Sequence, residues 1–174
     1  MKTFYFLISF LLIISRGIFS QVIPTDDRFG EQWYLYHQSV PQNQRADIRA
    51  PEAWAITTGD PNIKIAIIEG DDGEPNAQHT DLMGRVTTHN SIILSDHATS
   101  VAGLIVAKPY NNGIVGLNWS SPLNSYSFSD ITENFDDRIR QAKNDGNKII
   151  SVSQGSTESL GDANIELVDL TPKN

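Results

Sequence analysis

A chain of 174 residues, 39% hydrophobic and 20% charged, has the composition of one globular domain and too little length for two separate cores. Its 13 basic against 21 acidic residues give a net charge of −8, which repels phosphate backbones and argues against a nucleic-acid partner. Cysteine is absent, and with it go disulfides, thiolate nucleophiles and cysteine-ligated zinc.

Taken in chain order, Lys2 precedes an apolar run from Phe4 to Ile14, and Ser20 offers a small residue before Gln21. Residues 1–20 therefore read as a secretory signal peptide, since the run is too short to span a bilayer and Arg16 interrupts it. A secreted, periplasmic or extracellular chain with no membrane attachment in its mature form is expected. Loss of Lys2 and Arg16 leaves 11 basic against 21 acidic residues.

Residues 21–46 are polar and read as an extended N-terminal arm, pinned to the domain surface by Trp33, Tyr34 and Tyr36. The domain proper is expected over 47–174. Pro51 predicts a helix start within Ala50 to Ile56, with Trp54 and Ile56 facing inward and Gly59 beyond its end. Ile63 to Ile68 is apolar at nearly every position, the pattern of a parallel strand covered on both faces.

A second short strand is predicted at Ser91 to Leu94. It is followed by a helix that Ser95 or Asp96 caps, with His97 at its amino end and Ala98, Val101, Ala102, Leu104 and Ile105 in the core. Leu123 to Phe128 predicts a third strand. Asp130 to Asn144 predicts an amphipathic helix with Ile131, Phe135, Ile139 and Ala142 on one face, an Asp130 and Glu133 capping pair, and Gly146 as its stop. Lys148 to Ser153 predicts the next strand. Alternation at this spacing implies right-handed βαβ units and ligands beyond the carboxyl ends of the strands.

Two such ends carry the chemistry. Glu69-Gly70-Asp71-Asp72-Gly73 follows the first strand, and Ser153-Gln154-Gly155 follows the last. An acid after a buried strand and a histidine opening a later helix is the order an acid–histidine pair uses. The carboxylate fixes one tautomer, and the other ring nitrogen takes a proton from a hydroxyl.

With their surroundings, these residues resemble the subtilisin-like serine peptidases, the subtilases. Ala50-Pro51-Glu52-Ala53-Trp54 resembles the helix before that family's first core strand. Ile65 to Ile68 with Asp71-Asp72-Gly73 and His79-Thr80-Asp81-Leu82 resembles its aspartate strand and following loop. His97-Ala98-Thr99-Ser100-Val101-Ala102-Gly103 resembles the catalytic-histidine motif. Asn111 to Leu117 and Ile149 to Gly155 resemble two further stretches, so the likeness spans roughly residues 29 to 156.

The resemblance implies a three-layer α/β fold with a parallel sheet, truncated after its front half, and serine-type endopeptidase activity on polypeptides. It makes His97 the general base and Ser153, Gln154 and Gly155 the edge that pairs with an extended substrate. For the acid, the Asp-x-Gly pattern selects Asp71, which is the expected partner of His97; counting along the strand gives Glu69 as the alternative, and spacing back from His79 allows Asp72. Ala98 and Ser100 stand where the family has glycine and a second histidine. Nothing from Ser156 to Asn174 resembles the family's nucleophilic serine or oxyanion-hole asparagine, so the chain alone is expected not to hydrolyse peptides.

A remnant without catalysis that binds extended peptides or a partner chain is the alternative. Family resemblance allows calcium, with Asp26, Asp27 and Asp47 as available acids, but no ligand set with recognisable spacing appears. Oligomeric state is not encoded in any recognisable pattern.

Overall fold

The computed structural model describes residues 20–69, 73–90, 92–111, 113–128 and 135–153. Among them four strands form one parallel sheet: β1 (Ile65–Glu69), β2 (Val86–Thr88), β3 (Leu123–Ser127) and β4 (Ile149–Val152), in the order β2-β3-β1-β4. Ile65 pairs in register with Leu123 on one side and with Ile149 on the other, so β1 is an inner strand. Every residue of β1 is buried, as its unbroken apolar run requires.

Two helices cover the two faces. On one, α2 (Asp96–Val106) sets Ala102 and Val106 against Ile65, Ile67, Leu82 and Leu123. On the other, α3 (Phe135–Asn144) sets Ala142, with Phe135 and Ile139 beside it, against Ala66, Ile68, Tyr126 and Phe128. Alternate residues of β1 therefore face opposite helices, which makes the three-layer α/β architecture expected from the sequence.

A third cluster lies over the start of the domain. Phe29 and Leu35 pack with Ala50, Trp54 and Val115, Trp54 belonging to the short helix α1 (Ala50–Trp54). Gln32 locks the arm by donating to Val115 O at 2.9 Å and accepting from Val115 N at 2.7 Å. Tyr34 and Tyr36 flank this cluster, whereas Trp33 is 55% exposed, so Phe29 and Leu35 do the pinning expected of Trp33.

Several predicted details change. Helix α1 ends at Trp54, and Ile56 lies beyond it at 72% exposure instead of facing inward. The second strand is Val86–Thr88, where three β-branched residues pair with β3. In the segment predicted in its place, the described residues hold an isolated bridge, Leu94 with Glu74, and leave Ile92, Ile93 and Leu94 exposed. Leu104 lies on the outer side of α2, not in the core. The predicted capping pair Asp130 and Glu133, with Ile131, falls outside the described residues. The stop of α3 stands as predicted: Gly146 has φ 84 and Asn147 N donates to Ala142 O.

Tyr126 ties β3 to this helix end. Its hydroxyl donates to Asp145 Oδ2 at 2.9 Å and accepts from Asn147 Nδ2 at 3.0 Å. Burial first, and the bond to Asp145 second, push the phenol up to about 12 from its ordinary 10.0. The fold thus favours the neutral phenol, and this contribution is complete below pH 10.0 and is lost as pH rises towards about 12. Tyr126→Phe is expected to cost about 1 kcal/mol at pH 7 and to soften the alkaline loss of stability. Urea unfolding at both ends of that window checks it, and equal pH dependence in the two proteins refutes it.

Candidate functional site

The site forms where the carboxyl end of the sheet meets the amino end of α2. Ser95 opens this helix in an extended conformation and its Oγ accepts Ala98 N at 3.1 Å, which fixes the first turn and the root of His97. Glu69 is the last residue of β1 and is 1% exposed, held between β3 and β4. Because Ile68 pairs with Val152, Ser153 comes out beside Glu69.

His97 closes the group. Its Nε2 lies 3.2 Å from Glu69 Oε2 and 3.2 Å from the carbonyl oxygen of Ser153. With Glu69 ionised, both neighbours are acceptors, so Nε2 carries the proton and Nδ1 keeps the lone pair. The imidazole is half-exposed, at 48%, while its carboxylate partner is sealed. A buried carboxylate on one side and water on the other let this ring accept a proton from a ligand while the resulting positive charge faces Glu69.

Of the residues selected from sequence, Glu69, His97 and Ser153 therefore meet. Asp71, Asp72, Gln154 and Gly155 lie outside the described residues. Ala98 is fully buried in the wall of α2, and Ser100 donates to Asp96 O at 2.8 Å, one turn along from the imidazole.

Sequence reasoning missed Glu74. It is 1% exposed, and its Oε1 accepts Asn90 N at 3.1 Å and Ser127 N at 3.2 Å, while Oε2 has no hydrogen-bond partner among the described residues. Its backbone accepts Ser95 N, so one residue links the end of β3 to the cap of the His97 helix. An isolated glutamate after a glycine gives no signal of this, because its partners are backbone amides from distant segments.

Two of the acids considered for calcium, Asp26 and Asp47, are engaged with backbone amides. Asp26 spends both carboxylate oxygens on Tyr110 N at 2.7 Å and Asn111 N at 2.8 Å. Asp47 does the same with His37 N at 2.6 Å and Arg49 N at 3.0 Å. Among the described residues no group of three or more His, Cys, Asp or Glu is placed to hold a metal ion. No helix among them is long and apolar enough to cross a membrane.

Fold and site together define a three-layer α/β protein with an acid–histidine pair at the carboxyl edge of its parallel sheet. A subtilase family model matches residues 55–170. Among seven chains of solved structures that match is the prenylagaramide maturation protease PagA, with 27% identity and a TM-score of 0.54 over 66% of this chain. The chain spans 42% of the length of PagA. No curated protein matches. The chain belongs to the subtilase family, and the likeness to its members carries through to the fold.

Proposed function

We propose that this chain supplies the acid and the base of a serine-type endopeptidase, with Glu69 as the acid and His97 as the base. The 3.2 Å contact between Glu69 and the imidazole is the observation that carries this reading. Glu69 orients the ring and stabilises the imidazolium, and the ring nitrogen opposite takes the proton of a serine hydroxyl as that oxygen attacks the peptide carbonyl. Ser153, whose carbonyl oxygen lies 3.2 Å from Nε2, opens the stretch Ser153-Gln154-Gly155 that would pair with an extended polypeptide. Residues 1–20 direct export. No stretch from Ser156 to Asn174 resembles the family's nucleophile motif, so this reading requires a serine supplied from elsewhere.

A fluorophosphonate probe tests this directly, because it reacts with an activated serine. The native assembly containing this chain is expected to become labelled on a serine, and His97→Ala in an otherwise intact assembly is expected to abolish the label. An assembly that binds extended peptides yet is never labelled supports the second reading, a remnant that captures peptides or a partner without cleaving them. The half-exposed apolar side chains of the edge strand, Ile149 at 51% and Val152 at 42%, favour that second reading over an unrelated function.

A further inference from the structure

The carboxylate of Glu74 sits where two strands part. The register of β2 with β3 ends at Thr88 and Ser125, while on its other side β3 runs on to Ser127, which pairs with Glu69. The amide of Ser127 is thus left without a strand partner on the β2 side, and Glu74 Oε1 accepts it at 3.2 Å. The same oxygen accepts Asn90 N, from the chain just past β2, at 3.1 Å. One side-chain oxygen stands in for the backbone acceptor that the departing strand no longer supplies.

The main chain of the same residue holds the other half of the site. Gly73, with φ 84, brings the backbone so close that a Cβ on it would lie 2.6 Å from Ile93 O. Glu74 N donates to Ile93 O and Glu74 O accepts Ser95 N, both at 2.9 Å. Ser95 caps α2 two residues before His97. Glu74 therefore joins the end of β3, beside Glu69, to the root of His97, and the 3.2 Å contact of Glu69 with the imidazole closes the ring.

The leverage is large. The apolar contacts of α2 with the sheet cluster run from Val101 to Val106, and at 1.5 Å per residue their middle lies about 10 Å from His97. A tilt of about 6° around them would move the imidazole about 1 Å, enough in a working site to cost about 10²-fold in rate. Oε2 of Glu74 has no partner among the described residues, so the buried carboxylate is kept against a desolvation cost that leucine, equally able to pack, would avoid.

We propose that Glu74 is a positioning residue for the acid–histidine pair, setting the separation of Glu69 and the His97 imidazole through its bonds to Ser127, Asn90 and Ser95. Its value to catalysis rests on the peptidase reading, whereas the placement can be tested without hydrolysis. In the whole chain with ¹⁵N-labelled histidine, the Nε2 proton of His97, identified by its loss in His97→Gln, is expected to exchange slowly with water because Glu69 holds it. Glu74→Leu, which removes the acceptor and keeps the bulk, is expected to speed that exchange at least about tenfold while the amides of Ile65 to Ile68 stay protected. Glu74→Gln, which keeps an acceptor oxygen, is expected to restore it to within about twofold. Should Glu74→Leu not fold, Asn90→Pro removes one of the two donors to Oε1 and is expected to speed exchange about fivefold. Exchange indifferent to the variant read, Glu74→Leu or in its place Asn90→Pro, overturns the inference alone. Faster exchange in Glu74→Gln as well overturns it by making the charge, and not the placement, the contribution. A proton already unprotected in the unaltered chain overturns the Glu69 contact itself, and with it both this inference and the acid assigned above.

Discussion

Glu69→Gln is expected to lower the fluorophosphonate labelling rate and peptide kcat/KM of the assembled peptidase by about 10⁴-fold, while Asp71→Asn costs less than about tenfold. The size follows from the tautomer. Glu69 Oε2 now faces a protonated Nε2 at 3.2 Å, and it can only accept. A glutamine amide has nearly the same shape but can turn its NH₂ towards the ring, which favours the tautomer with the proton on the wrong nitrogen. It also removes the negative charge that balances imidazolium when the ring takes the serine proton. Because the carboxylate is buried, its replacement by a neutral amide of equal volume should leave the fold intact, and a circular dichroism melt verifies that. The reverse ranking of the two variants would transfer the role to Asp71.

Trp54→Ala is expected to destabilise the chain by about 3–5 kcal/mol, the usual cost of deleting a buried indole. The side chain is 4% exposed and packs its ring in tilted contacts 4.5 Å from Trp119 and 6.1 Å from Phe29, centroid to centroid. Its Nε1 donates to Leu117 O at 2.8 Å, so truncation also strands a carbonyl. This cluster is separate from the two that sandwich the sheet, and Phe29 and Leu35 join it from the arm. The loss should therefore appear first as release of residues 21–46, visible as early hydrogen exchange at Ala50, whose amide donates to Leu35 O across to the arm. Trp54→Phe should recover most of the stability. A shift in urea midpoint equivalent to less than about 1 kcal/mol for Trp54→Ala would show that the arm is held elsewhere.

Much of the sheet was legible because its elements carry their own instructions. Ile63 to Ile68 reads as a doubly covered strand since both faces of β1 need apolar residues, and Ser95 and Gly146 mark helix ends through local backbone chemistry. The misreadings share a cause as well. Val86–Thr88 is three residues long and draws its pairing from β3, whereas the more apolar Ile92 to Leu94 meets Glu74 through an isolated bridge and forms no strand among the described residues. Ile56 was placed inside by helical periodicity that stops two residues earlier.

At the site, motif spacing pointed to Asp71 and strand counting to Glu69. The strand count names the residue that the register with β3 and β4 holds rigidly beside the imidazole, and spacing through a loop carries no such constraint. Glu74 depends on amides contributed by remote segments, Asn90 and Ser127, which no local pattern encodes.

The inner position of β1 also sets a schedule for biosynthesis. Neither of its hydrogen-bonding neighbours precedes it: Leu123 and Ile149, which flank Ile65, are made long after it. A nascent chain leaving the ribosome thus carries its most apolar strand with no mate until β3 is complete, and with one side still open until β4 emerges. Contacts so distant in sequence are slow to form and leave the intermediate prone to aggregation. Production of this polypeptide should accordingly be limited less by its final stability than by whatever holds Ile65 to Ile68 out of contact with other chains during that interval.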